Sequence, residues 1–321
     1  MTPISIPGIH HITAICGDPQ RNVDFYTGLL GLRLVKKTVN FDDPNTYHLY
    51  YGDGTGTPGT IMTFFAWISA PPFTPAVGRQ GSGQIVATAF AIPRTSVDFW
   101  IDRLSAHAID FDGPNERFGD HVLAFNDPDG LPVELVGDMQ RAARQPWPDA
   151  PIPVEHAIRG FHGASFSLEG YERTAELLTE TMGFAFVGQE GNRFRFSTGE
   201  ASDTSLVDVL CQPDRAPGRM GIGVVHHIAW RAPSGELQMQ WRAVLADAGY
   251  DPTPVLDRMY FRSIYYPEPG GIIFEIATDQ PGFTIDESAG QLGRELKLPE
   301  WLEPRRARIE ARLPDIRVSR R

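Results

Sequence analysis

Two phrases far apart in the chain are nearly the same: Gly8-Ile9-His10-His11-Ile12-Thr13 and Val224-Val225-His226-His227-Ile228-Ala229. Self-similarity of this kind marks a fold built by repetition, in which equivalent strands occupy equivalent places. Successive side chains of a strand point to opposite faces. In the first phrase Ile12, Ala14 and Cys16 therefore share one face and leave His11 and Thr13 on the other. In the second, His227 falls in phase with Ala229 and Arg231, away from Ile228 and Trp230. A later segment, Gly270-Gly271-Ile272-Ile273-Phe274-Glu275-Ile276, sets one carboxylate opposite an apolar face of Ile272, Phe274 and Ile276. A lone carboxylate is costly to bury unless it is paired or binds a cation. Two imidazoles and one carboxylate are the donor set of non-haem Fe(II) sites that keep coordination positions open. His11, His227 and Glu275 are the candidate metal ligands.

The repetition runs to four units, each a strand, an amphipathic helix and a run of strands ending in an apolar stretch. Module one starts at Gly8, with a helix expected over 19–30, where Val23, Tyr26, Leu29 and Leu30 form an apolar stripe and Gly31 a stop. Module two starts at Gly83, with a helix over 96–104 and a closing strand over 132–136. Module three starts at Gly160, with a helix over 171–182 closed by Gly183 and a final strand over 206–210. Module four runs from Gly223 through a helix over 237–248, closed by Gly249, to the Glu275 strand. The fold class expected is α+β, four βαβββ modules forming two barrel-like halves. Residues 141–153 hold four prolines and little periodicity, as a connection between domains does. The chain divides accordingly into 1–145 (modules one and two), a linker at 146–155, 156–282 (modules three and four) and a tail at 283–321. A charged helix is expected over 299–313, with Trp301, Leu302, Ile309 and Leu313 as its apolar residues and the rest a solvated face.

Equivalent positions carry different chemistry. Aligned on the openings, Ala87 and Gly163 stand in modules two and three where His11 and His227 stand in modules one and four. Aligned on the proline six residues before Glu275, the closing strands place Phe64 in module one and Glu134 in module two, while Asp208 is the nearest carboxylate of module three. The full donor set thus comes from modules one and four, which are expected to pair around a metal, with modules two and three forming the other half. His48, His107, His121, His156 and His162 are read as structural or exposed.

Composition narrows the function. With 29 Lys and Arg against 40 Asp and Glu, the formal net charge is -11, which argues against binding a phosphate backbone. Cys16 and Cys211 are too few for a disulfide framework or a thiolate metal site, and suit a reducing cytoplasm. No basic segment followed by an apolar run opens the chain, and no run of about 18 apolar residues occurs, so no membrane span is expected.

The module openings resemble the vicinal oxygen chelate superfamily, also called the glyoxalase, bleomycin-resistance and dioxygenase superfamily, over residues 5–280. Within it, Gly-Ile-His-His-Ile-Thr, Val35-Lys36-Lys37-Thr38, Tyr47-His48-Leu49-Tyr50-Tyr51-Gly52-Asp53 with Gly56-Thr57-Pro58-Gly59, and Gly-Gly-Ile-Ile-Phe-Glu resemble the hydroquinone-type ring-cleaving dioxygenases, including the chlorohydroquinone 1,2-dioxygenases. The resemblance implies Fe(II), with Mn(II) as the alternative, held by His11, His227 and Glu275. It also implies catalytic roles around that metal for His10, Thr13, His226, Arg258 and Tyr265. Adjacent strand residues point to opposite faces, so His10 and His226 reach the pocket only if the strand ends twist. The implied reaction opens a small aromatic diol with O2, in aromatic-compound degradation or quinone detoxification. A neutral imidazole would take a phenolic proton, Arg258 supply positive charge and Tyr265 a hydrogen bond. Glyoxalases of the superfamily use four protein ligands, and catechol-type extradiol enzymes take their first histidine from module three, where this chain has Gly163. A catechol-type dioxygenase, a metal-dependent lyase or isomerase and a metal-free ligand-binding protein on this scaffold stay open, as does a homo-oligomer.

Overall fold

The computed structural model describes residues 4–68, 75–138, 146–198 and 205–318. The first part of the proline-rich connection, 141–145, lies outside the described residues. Module one supplies β1 (Ile9–Cys16), β2 (Arg33–Val39), β3 (Tyr47–Gly52) and β4 (Ile61–Ala66). Module two supplies β5 (Gln84–Pro93), β6 (Phe111–Arg117), β7 (Asp120–Asn126) and β8 (Pro132–Asp138). Module three supplies β9 (Phe161–Leu168), β10 (Ala185–Glu190), β11 (Arg193–Ser197) and β12 (Leu206–Cys211). Module four supplies β13 (Val224–Ala232), β14 (Leu256–Asp257), β15 (Arg262–Pro267) and β16 (Ile273–Thr278).

These strands form two curled eight-stranded sheets. One has the order β14-β15-β16-β13-β1-β4-β3-β2 and joins module four to module one; the other has the order β10-β11-β12-β9-β5-β8-β7-β6 and joins module three to module two. Within each module the opening strand runs parallel to the closing one, and opening strands of two modules meet antiparallel at the middle of each sheet. Both opening strands of the first sheet are central, so side chains on both faces are covered: every residue of β1 is buried. That explains why β1 is apolar around its histidines.

The helices lie close to where apolar spacing puts them. The module-one helix is α over Pro19–Val23, capped by the Asp18 carboxylate, and widens to a π-helix over Asp24–Leu29. Module three repeats this with Glu172–Glu176 and Leu177–Thr181, and modules two and four have α-helices at Val97–Ala106 and Gly235–Asp247. The tail departs from expectation. In place of one helix over 299–313, a 3₁₀ turn at Glu303–Arg305 leads into a short α-helix at Arg306–Glu310. Pro304 disfavours helical backbone in the residue before it, and Pro314 follows soon after. Leu302, Ile309 and Leu313 are buried as expected, whereas Trp301 is exposed and packs edge-on against Phe41.

The tail does more than present a solvated face. Lys36 on β2 is fully buried and its Nζ donates to the carboxylates of Asp286 and Glu287. Leu296 bridges to Lys37, and Lys297 N–H donates to the Lys37 carbonyl at 2.9 Å. Phe283 packs on Tyr50 and Tyr260, with ring centroids 5.1 and 5.2 Å apart.

The two sheets diverge at equivalent positions. A Cβ on Gly163 would stand 2.1 Å from the carbonyl oxygen of Leu206. Backbone cannot yield as a flexible side chain can, so no side chain, a ligating imidazole included, fits there. Gly163→Ala is therefore expected to lower stability by about 2 kcal/mol or more, read as a fall in denaturation midpoint. An unaltered midpoint would mean that β12 shifts freely away from β9.

Candidate metal centre

The pairing of β1 with β13 builds the site, and its register is interrupted twice. Ile9 opposes Trp230 and His11 opposes Ala229, which leaves His10 as an extra residue on β1. Thr13 opposes His227 and Ala14 opposes Val225, which leaves His226 as an extra residue on β13. A bulge of this kind turns a side chain away from simple alternation. It brings both doublets together side by side: His10 Nδ1 lies 2.9 Å from His11 Nδ1, and His226 Nδ1 lies 2.8 Å from His227 Nδ1. Bulges within the β1 and β13 ladder, rather than twist alone, solve the problem that alternation posed.

His11, His227 and Glu275 converge and are all buried. His11 Nε2 is 3.3 Å from His227 Nε2 and 3.3 Å from Glu275 Oε2, and His227 Nε2 is 3.0 Å from the same oxygen. Donor atoms held about 2.1 Å from one ion lie about 3.0 Å apart at right angles and about 3.4 Å apart at tetrahedral angles. The three separations fall in that window. Glu275 Oε2 is buried and accepts no hydrogen bond although two imidazole nitrogens face it, as expected of an atom shaped to meet a cation. The other oxygen, Oε1, accepts from the Ser263 hydroxyl, which fixes the carboxylate plane. Burial would raise the Glu275 pKa, yet the neighbouring His11 and His227 imidazoles hold it well below the usual carboxylate range. The donor set therefore fits a divalent cation.

For both Nε2 atoms to offer lone pairs, His11 and His227 must carry their protons on Nδ1. There they meet Nδ1 of His10 and of His226, which must accept. Burial first, and the adjacent imidazole second, push His10 and His226 down to about 3, so both rings are neutral acceptors. A neutral ring that accepts at Nδ1 carries its proton on Nε2. His226, which is half-buried, thus carries its N–H on Nε2 and is a donor there.

Tyr265 stands opposite Glu275 across β15 and β16, with its ring 5.8 Å from that of His227. Arg258 Nε donates to the Tyr265 hydroxyl at 3.3 Å, and its Nη1 reaches Asp42 at 3.1 Å. Burial, then the Glu275 charge, raise the Tyr265 pKa, so the phenol keeps its proton and can donate it as a hydrogen bond. The turn that presents Arg258 is tight: Met259 has φ of 66° and its N–H donates to Asp257 Oδ1. Two residues on, Phe261 packs against His11 and His10 at 4.9 and 5.2 Å.

Two sequence readings are corrected here. Thr13 opposes Thr63 on β4 just as Ala229 opposes Glu275 on β16, so Thr63 and not Phe64 is the counterpart of Glu275. Phe64 turns into the core against Tyr26 and Tyr51. The module still offers no fourth carboxylate. His48, set aside as structural, is at the site: its Nε2 is 2.9 Å from Thr63 Oγ1, which is 2.9 Å from Thr13 Oγ1, and its Nδ1 is 2.8 Å from the Tyr50 hydroxyl. Burial, then His11 and His227, keep its pKa well below the ordinary histidine value. His48, Phe65, His226, Arg258 and Tyr265 are the half-buried residues around the centre. A surface cavity of about 550 Å³ is lined by Asp257, Met259, Arg262 and Trp301 among others and touches none of the three candidate ligands.

In the second sheet the register gives Ala89 opposite Glu134 and Ser165 opposite Asp208, the counterparts of Ala229 opposite Glu275. These carboxylates are held by arginine: Arg117 grips Glu134 at 2.8 and 2.9 Å, and Arg195 grips Asp208 at 2.7 and 2.9 Å. Arg193 adds a third cation at 3.0 Å from Asp208.

Residues 8–135 match the Glyoxalase/Bleomycin resistance protein/Dioxygenase superfamily. MhqO of Bacillus subtilis, provisionally named a ring-cleaving dioxygenase, is 46% identical over 304 residues, 94% of either chain. The chlorohydroquinone/hydroquinone 1,2-dioxygenase of Sphingobium indicum is 35% identical over 306 residues, again 94% of either chain. A crystal structure from Bacillus subtilis, provisionally described as a dioxygenase, superposes with a TM-score of 0.92 at 45% identity, covering 98% of this chain and 99% of that one. With fold, repeats and near full-length relatives in agreement, the chain belongs to the glyoxalase/bleomycin resistance protein/dioxygenase superfamily.

The Ser263 hydroxyl is the sole described hydrogen-bond donor on Glu275 Oε1. Ser263→Ala is expected to weaken divalent metal affinity roughly 10- to 100-fold while the fold persists, as measured by competition with a metal chelator. Unchanged affinity would show that the β16 backbone alone orients the carboxylate.

Proposed function

We propose that the protein is an Fe(II)-dependent ring-cleaving dioxygenase that opens a hydroquinone-type ring with O2. The observation that carries this is the His11, His227 and Glu275 cluster, with Thr63 where a fourth carboxylate would stand. Three protein donors leave coordination positions for exchangeable ligands, and this donor set is the one associated with non-haem Fe(II), Mn(II) being the alternative. The names of the relatives support the reaction class. When bound, the metal supplies a centre at which a phenolic oxygen and O2 are brought together and polarised.

The chain's own residues do the rest. A para-diol offers only one hydroxyl to a metal, so its far end must be held by protein. Tyr265 can donate its phenolic proton to that end, because Arg258 donates to the Tyr265 oxygen and leaves the proton free. Arg258, itself held by Asp42, places fixed positive charge beside the ring as negative charge develops. His226 presents an N–H to substrate oxygen, while His10 meets Nδ1 of His11 and serves to orient it. Phe65, 5.5 Å edge-on from His226, gives an aromatic ring a surface to pack on.

We infer a cytoplasmic setting from the two free cysteines, Cys16 and Cys211, and among the described residues no helix is long and apolar enough to cross a membrane. We also propose 1–145 and 156–282 as the two domains. The extra residue before the ligand position in each module, His10, Val86, His162 and His226, supports an origin by duplication.

Tyr265→Phe and Arg258→Ala should each lower turnover roughly a hundredfold with bound iron unchanged. An oxygen electrode with a panel of hydroquinones and catechols is the measurement, and hydroquinones should be preferred. Wild-type rates in both variants, or a catechol that outcompetes every hydroquinone, would overturn the substrate assignment.

A further inference from the structure

The side chains of Tyr50, His48, Thr63 and Thr13 form an unbroken chain of hydrogen bonds with spacings of 2.8, 2.9 and 2.9 Å, ending one strand step from His11 and opposite His227. Its direction follows from counting protons. Tyr50 is 1% exposed, and among the described residues its hydroxyl has His48 Nδ1 as its one partner. A buried O–H that donates to nothing is costly, so Tyr50 donates and His48 Nδ1 accepts. A neutral imidazole that accepts at Nδ1 carries its proton on Nε2, and His48 therefore donates to Thr63 Oγ1. Thr63 Oγ1 and Thr13 Oγ1 then share one hydrogen bond of 2.9 Å, which either hydroxyl can donate, since an oxygen that has accepted once keeps a second lone pair. Both threonines are 0% exposed and neither has a further side-chain partner among the described residues, so one hydroxyl proton of the pair is left over. The reverse direction would leave the Tyr50 proton unplaced.

We propose that Tyr50 and His48 are positioning residues that feed the Thr63 and Thr13 pair, so that its surplus hydroxyl proton is donated into the space bounded by His11 and His227, where it meets an oxygen atom of the bound diol or of O2. This rests on the ring-cleavage reading for the identity of the acceptor, though not for the direction of the chain. It also gives Thr63 a purpose: the position that carries a carboxylate in module four carries a hydroxyl in module one, which can both accept from His48 and donate to Thr13. The other three members come from β1 and β3, strands that flank β4 in the sheet.

The test has a spectroscopic arm and a kinetic one. In the full-length protein labelled with ¹⁵N-histidine, recorded with and without diamagnetic Zn(II) and assigned with His48→Gln, the His48 ring should show the Nε2–H tautomer. Tyr50→Phe, which removes the donor, should shift its Nδ1 resonance. An Nδ1–H tautomer in the wild type, or no change in Tyr50→Phe, overturns the relay. In oxygen-uptake assays of the iron-loaded enzyme, Thr63→Val should lower kcat on the order of tenfold with little change in KM, and Thr63→Ser should restore it. Wild-type kcat in Thr63→Val overturns the role toward the bound oxygen atom. If the wild type cleaves no diol at all, the ring-cleavage reading falls, and the His48 tautomer still decides the relay.

Discussion

Everything at the candidate centre depends on how β1 and β13 are paired. An antiparallel pair without irregularities would alternate strictly, sending His10 and His226 to the face opposite His11 and His227. One extra residue in each strand breaks that rule at two symmetric places. The result is four imidazoles in two Nδ1 to Nδ1 pairs around one buried carboxylate. Each outer ring fixes the tautomer of its inner neighbour, so both inner rings turn lone pairs toward Glu275. The arrangement needs no charged partner to orient the ligating histidines.

The second sheet shows what the same backbone does without that chemistry. It keeps the bulges, at Val86 and His162, and it keeps both carboxylate positions. It lacks imidazoles at the ligand positions, and Gly163 has no room for one. Uncompensated, Glu134 and Asp208 would be buried charges of the kind that destabilises a core. Arginines on β6 and β11 answer them with bidentate contacts, and Asp208 is held below its usual pKa despite its burial. In one sheet the carboxylate is left facing a gap between nitrogens; in the other it is closed off by guanidinium.

Much of this was legible in the sequence, for a physical reason. The two His-His phrases lie on equivalent strands, and period-two alternation is short-range enough to read directly, so the three candidate ligands and the pairing of modules one and four were within reach. Thr63 was missed by one residue because a proline in the preceding loop does not fix register; only the hydrogen-bonded ladder does. His48 was missed because it belongs to β3, which reaches the site across β4, and no spacing rule in the chain encodes that adjacency. The tautomer of His226 was not legible because it is set by His227 Nδ1, a contact that exists only once the bulge has formed.

The tail explains why one side of the centre is fixed and the other is open. Lys36 lies over the ring of Tyr260 at 5.0 Å, and Tyr260 donates to Asp286, so one ion cluster ties β2, the tail and the turn before β15 together. A buried ammonium left without its carboxylates would be costly, which makes the tail an obligatory part of the wall rather than an appendage. Tyr260 and Phe261 transmit that constraint to the back of His11. Opposite them, His48, Phe65, His226, Arg258 and Tyr265 are only half-buried, and Arg258 is tied to an exposed carboxylate, Asp42. Ligand geometry is therefore set by the buried side of the site. Discrimination among ring substituents falls to the open side, where side chains can still move.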